Sequence, residues 1–63
     1  MSIRIIIADD HQIVRQGLKI LLEKESDMEV VGEAEDGRST VTLARDLIPD
    51  IVVMDVQMPA MKR

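Results

Sequence analysis

Asp50-Ile51-Val52-Val53-Met54-Asp55-Val56-Gln57-Met58-Pro59 is the stretch whose reading decides the fold. A Pro49-Asp50 turn opens it, four consecutive apolar residues follow, and a Met58-Pro59 pair ends it. Unbroken apolar runs bounded by turn signals read as strands buried on both faces, the pattern of a parallel sheet. Asp55 then stands at the carboxyl end of a strand, where open α/β sheets bind their ligands. Asp also ends strands for turn reasons alone, so the meaning of Asp55 depends on what the other strands place beside it.

The first strand supplies the neighbours. Ile3-Arg4-Ile5-Ile6-Ile7-Ala8 is too short and too β-branched for a helix and too apolar for a surface element. It ends on Asp9-Asp10. The plain reading of Asp10 is a helix N-cap, since a helical pattern begins at once. One Asp suffices for a cap, and two side by side leave a spare carboxylate.

The first helix is expected over residues 11–25, with Ile13, Val14, Gly17, Leu18, Leu21 and Leu22 on one apolar stripe and Arg15, Lys19, Glu23 and Lys24 off it. Gly17 within that stripe is disfavoured against Ala by about 1 kcal/mol, which a close approach to the sheet would justify. His11 reads as a solvated helix-start residue, because no orienting partner for acid–base or metal chemistry is visible.

Met28–Ala34 reads as a second strand whose Glu29 and Glu33 suit an exposed sheet edge. Asp36-Gly37 is a turn signal. A second helix is expected over residues 39–48, with Val41, Ala44, Leu47 and Ile48 facing the sheet and Pro49 ending it.

The order strand, helix, strand, helix, strand implies parallel strands joined by right-handed crossovers. The edge character of the second strand gives the spatial order 2-1-3. The connection reverses between strands 1 and 3, and the crevice beyond their ends is the expected site. Asp9, Asp10 and Asp55 converge there, on strands about 4.8 Å apart. Two unit charges about 4 Å apart repel by about 4 kcal/mol at an effective dielectric of 20, and a hard divalent cation relieves that repulsion. Oxygen ligands without Cys or His favour Mg²⁺, Mn²⁺ or Ca²⁺ over zinc. The residues therefore read as a Mg²⁺-assisted phosphate site with one carboxylate left as nucleophile.

Composition sets the outer limits. With 63 residues the chain is one domain at most, and its 46% hydrophobic and 32% charged content is that of a globular protein. There is no Cys, Trp, Tyr or Phe, so disulfides and thiolate metal sites are excluded and the core is aliphatic. A formal net charge of −4 argues against direct binding to nucleic acid or acidic membranes. No apolar run reaches membrane-spanning length and no signal peptide is present, so a cytoplasmic protein is expected.

Ile6-Ile7-Ala8-Asp9-Asp10-His11, the strand ending Met54-Asp55, and Met58-Pro59-Ala60-Met61 together resemble the receiver domain of two-component response regulators. Val30-Val31-Gly32-Glu33-Ala34 with Asp36-Gly37 is similar to the NarL/LuxR-type branch. The resemblance spans the whole chain and implies a flavodoxin-like fold. It implies that Asp55 is the phosphoacceptor. It also implies that Asp10, Asp55 and the backbone carbonyl of Gln57 ligate Mg²⁺, with Asp9 acting mostly through water. The implied phosphodonor is a histidine kinase or a small phosphodonor, the role is transcriptional control, and the chain itself is not an enzyme.

Receivers have five strands and five helices, and this chain matches the first three strands and two helices, residues 1–63, as a partial receiver. The family's fourth-strand Ser or Thr and fifth-strand Lys have no counterpart. Arg63, after Lys62, stands where the family usually has Gly. Half a receiver is expected to be impaired in signalling and to pair its exposed third strand with a second copy, giving a homodimer.

Two rivals follow from the same residues. A haloacid-dehalogenase-type phosphohydrolase needs a second Asp two residues after the nucleophile, where this chain has Gln57. An edge-strand interaction fragment would need neither Asp10 nor Asp55. Dinucleotide binding is disfavoured, because no glycine-rich turn follows the first strand.

Overall fold

The computed structural model describes residues 2–54. Five elements follow one another: β1 (Ile3–Ala8), α1 (Gln12–Glu23), β2 (Met28–Ala34), α2 (Gly37–Leu47) and β3 (Ile51–Met54). All strand pairs are parallel and the sheet order is β2-β1-β3, as the crossover argument requires.

β1 is the core. Ile5, Ile6 and Ile7 are fully buried, because a central strand with a helix over each face has no solvent side. Ile6 and Ala8 point to the α2 side, where Ala8 and Ala34 pack with Leu43 and Val52. Asp50 ties the start of β3 to β1 twice. Its backbone N–H donates to the Arg4 carbonyl at 2.8 Å, and its carboxylate accepts from the Arg4 backbone N–H at 2.8 Å.

Register between β1 and β2 slips once. Ile5 stands opposite Val30 and Ile6 opposite Gly32, so Val31 has no partner. The bulge breaks the simple alternation of β2 and leaves Gly32 under α2. A Cβ built on Gly32 would lie 3.1 Å from Leu47 Cδ1 and 3.6 Å from Leu43 Cδ1. The close approach expected at Gly17 therefore falls at Gly32. A Cβ on Gly17 would meet nothing within 4 Å.

Both helices are turned relative to the expected apolar faces. On α1, Leu18 and Leu22 are half-buried, while Ile13 (82% exposed) and Leu21 (60% exposed) face away from the sheet. Arg15 and Lys19 complete the contact face, because the β2 residue beneath them is Glu33. On α2 the contact face is Thr40, Leu43, Ala44 and Leu47, and Val41 and Ile48 lie outside it. Thr40 tolerates burial because its hydroxyl donates to the Asp36 carbonyl at 2.7 Å.

α2 begins at Gly37, two residues before the expected start. Asp36 is its N-cap and accepts from the Ser39 backbone N–H at 2.7 Å. It ends at Leu47, and its C-cap Ile48 adopts φ 48 before Pro49. The left-handed region is uncommon for a β-branched residue, and it places the Leu47 and Ile48 carbonyls where the Arg4 guanidinium donates to both.

Candidate functional site

The site lies at the carboxyl ends of β1 and β3, which are neighbours in the sheet. Ala8 pairs with Met54 as the last matched residues of the two strands. Asp9 and Asp10 continue from β1. Asp55 is the next residue in sequence after Met54. Asp55, Gln57 and the Met58-Pro59 turn lie outside the described residues, as do Lys62 and Arg63.

Asp9 is held at three points. Its backbone N–H donates to the Ala34 carbonyl at 3.0 Å. Its carbonyl accepts from Arg15 Nη1 at 2.6 Å, and its carboxylate accepts from the His11 backbone N–H at 2.8 Å. That last bond is an Asx turn, which lifts the chain out of the strand and into α1. The N-cap position falls to His11, not Asp10, and the His11 side chain makes no capping bond. The cap reading of Asp10 is thereby replaced: Asp9 shapes the turn, and the Asp10 carboxylate stands outside the helix cap and more exposed than that of Asp9. The Asp9 side chain is 7% exposed and that of Asp10 31%.

His11 carries more than its sequence context suggested. Its Nδ1 lies 2.9 Å from Asp10 Oδ1 and 3.2 Å from Asp9 Oδ1. One ligand atom from each of Asp9, Asp10 and His11 fits within 4.8 Å of the others. The orienting partners that sequence reasoning did not find are the two carboxylates immediately before it. A second group was also missed. Arg15 Nε donates to Glu33 Oε1 at 3.3 Å, and Lys19 Nζ lies 4.0 Å from Glu33 Oε2. Arg15 and Lys19, four apart on one helix face, with a lone Glu late in a neighbouring strand, were the available signal.

The donor set suits a hard divalent cation. Two adjacent carboxylates, one buried and one at the mouth, offer the oxygen ligands that Mg²⁺ takes while keeping water in its shell. The imidazole ring rests on the same oxygens and is a weaker match for such an ion.

Fold and acid pair together define a doubly wound α/β protein with an acidic switch-point site. Comparison with known proteins narrows the class. Residues 5–62 match the response regulator receiver domain, and the chain belongs to that family. It is 49% identical over 59 residues to the transcriptional regulatory protein LiaR of Bacillus subtilis, covering 94% of this chain and 28% of LiaR. It is 48% identical over 58 residues to the transcriptional regulatory protein YdfI of the same species, covering 92% of this chain and 27% of YdfI.

Among solved structures, the signal receiver domain of the putative response regulator NarL from Mycobacterium tuberculosis superposes with a TM-score of 0.90 at 34% identity, covering 97% of this chain and 49% of that one. A LuxR-family two-component response regulator from Aurantimonas gives a TM-score of 0.89 at 44% identity, covering 94% of this chain and 42% of that one. These similarities place the chain in the NarL/LuxR-type branch. It thus spans little more than a quarter of the curated relatives and less than half of the solved chains.

Proposed function

We propose that the chain is the phosphoacceptor module of a response regulator that controls transcription, with Asp55 as the nucleophile. A carboxylate oxygen of Asp55 attacks the phosphorus of a phosphohistidine on a histidine kinase, or of a small acyl phosphate. The new O–P bond forms as the bond to the donor breaks, and the imidazole or carboxylate leaves. Asp9, Asp10, Asp55 and the Gln57 backbone carbonyl are the groups that would hold Mg²⁺. When bound, the ion neutralises charge on the phosphoryl oxygens. The chain is an acceptor in this step and not an enzyme, and it acts in the cytoplasm.

The observation that carries the reading is the placement of Asp9 and Asp10 beside the end of β3, one residue before Asp55 in sequence. A similar receiver, that of RcsB from Salmonella enterica, has been solved in the presence of phosphomimetic BeF3−, which supports phosphoryl chemistry at sites of this kind. RcsB has also been solved bound to a promoter, which supports a transcriptional role. No described helix is long and apolar enough to cross a membrane.

One feature favours a second reading. Among the described residues, the outer edge of β3 has no partner strand, and Ile51 and Met54 on β3 are about half exposed. Such an edge pairs readily with another chain, and the second reading is an interaction fragment that dimerises through β3 without phosphotransfer. Mg²⁺ titration followed by amide NMR separates the two readings. The phosphoacceptor reading predicts saturable shifts at residues 9–11 that vanish in Asp10→Ala. The interaction reading predicts a two-chain mass by sedimentation, unaffected by Asp10→Ala, and no Mg²⁺ response.

A further inference from the structure

We propose that Arg15 is the positioning residue of the Asp9–Asp10 pair, acting through the main-chain carbonyl of Asp9. The inference rests on the cation-site reading above and concerns what aims the two carboxylates. Among the described residues, the pairing of β1 with β3 runs as far as Ala8 and Met54, and on the other side the last bond runs from the Asp9 N–H to Ala34. Beyond that bond no described strand residue donates to the carbonyl of Asp9. Arg15 reaches back from the first turn of α1 and supplies the donor, Nη1, at 2.6 Å.

Arg15 is itself fixed. Its Nε donates to Glu33 Oε1 at 3.3 Å, and its side chain is only 16% exposed. The guanidinium presents its donors in a rigid planar fork. One side chain thus binds the end of β1 and the end of β2 at once, and holds the peptide between Asp9 and Asp10 against rotation. Rotation of that peptide would swing both carboxylates.

A plain electrostatic role predicts the opposite sign. Arg15 is a cation near the acid pair and repels a divalent ion, so neutralising it would tighten ion binding. A positioning role predicts weaker binding, because carboxylates that must be ordered on binding bind less tightly.

The test uses the 63-residue chain, with Mn²⁺ as the probe and paramagnetic broadening of the residue 9–11 amide signals as the readout. Circular dichroism checks folding. Arg15→Met is expected to weaken Mn²⁺ binding by about tenfold, the low end for groups that orient metal ligands. Arg15→Lys keeps the charge but not the fork, and is expected to fall between Met and the parent. Without any metal, hydrogen exchange at the His11 amide should quicken by about tenfold in Arg15→Met while exchange at Ile5, Ile6 and Ile7 is unchanged.

Equal or tighter Mn²⁺ binding in a folded Arg15→Met chain overturns the proposal, as does unchanged His11 exchange. If the parent chain binds no Mn²⁺, the cation reading fails and the exchange arm alone decides Arg15. Should Arg15→Met not fold, Glu33→Gln takes its place, with a smaller loss expected in both readouts and no change in either one overturning the proposal.

Discussion

At Gly32 the space a side chain would take is already filled by Leu47 and Leu43 of α2. Gly32→Val should destabilise the fold by about 1–3 kcal/mol, the usual cost of overpacking, read as a lower urea midpoint. Gly17 is the opposite case, an exposed helical glycine with open space around it. Gly17→Ala should stabilise by about 0.5–1 kcal/mol in the same assay. Both glycines are plain in the sequence, but which one supports a close approach depends on the bulge at Val31, and the available signal, a lone glycine inside the strand pattern Val30-Val31-Gly32, was not weighed against Gly17.

Asp36 gives a pH-dependent case. The Ser39 backbone N–H and then its side chain stabilise the Asp36 carboxylate, with Arg38 adding to them, and hold its pKa below the ordinary value. A depressed folded-state pKa means stability that is complete above the ordinary aspartate range, about pH 4, and is lost as pH falls through the lower folded value. Asp36→Ala should therefore lower the melting temperature at pH 7, and the gap to the parent should narrow in acid below that range.

At the scale of elements, α1 is the instructive one. Its existence was legible from Ile13, Leu18, Leu21 and Leu22, yet its contact face was not. Hydrophobic periodicity finds the apolar side of a helix, but the side that meets the sheet is set by what the sheet presents. Here that is Glu33, which draws Arg15 and Lys19 inward and leaves Ile13, Ile20 and Leu21 exposed. The two faces can be told apart by polar substitution. Leu21→Gln should change stability by less than about 0.5 kcal/mol, while Leu22→Gln should cost about 1–3 kcal/mol, both measured by chemical denaturation of the isolated chain. α2 was misphased for a related reason. Thr40 was not expected inside, because its buried hydroxyl is satisfied within the helix by Asp36.

For the whole molecule, strand order was fully readable. Charged Glu29 and Glu33 marked β2 as an edge, the apolar run Ile5-Ile6-Ile7 marked β1 as central, and the parallel connections left one arrangement. The acid pair was readable too, since a cap needs only one Asp. Arg15 was not, because Glu33 becomes its neighbour only once α1 folds back over β2, and His11 reads as solvated although its partners Asp9 and Asp10 directly precede it. Both lie around Asp9, so the site is more tightly built than three acidic residues on two strand ends suggested.

The most direct measurement is intact-mass spectrometry after incubation with acetyl phosphate and Mg²⁺, with Asp55→Asn and Asp10→Ala alongside. A phosphoacceptor module gains one phosphoryl group on the parent chain, none on Asp55→Asn and far less on Asp10→Ala. A folded parent chain that gains none, or a gain that survives in Asp55→Asn, contradicts the assignment.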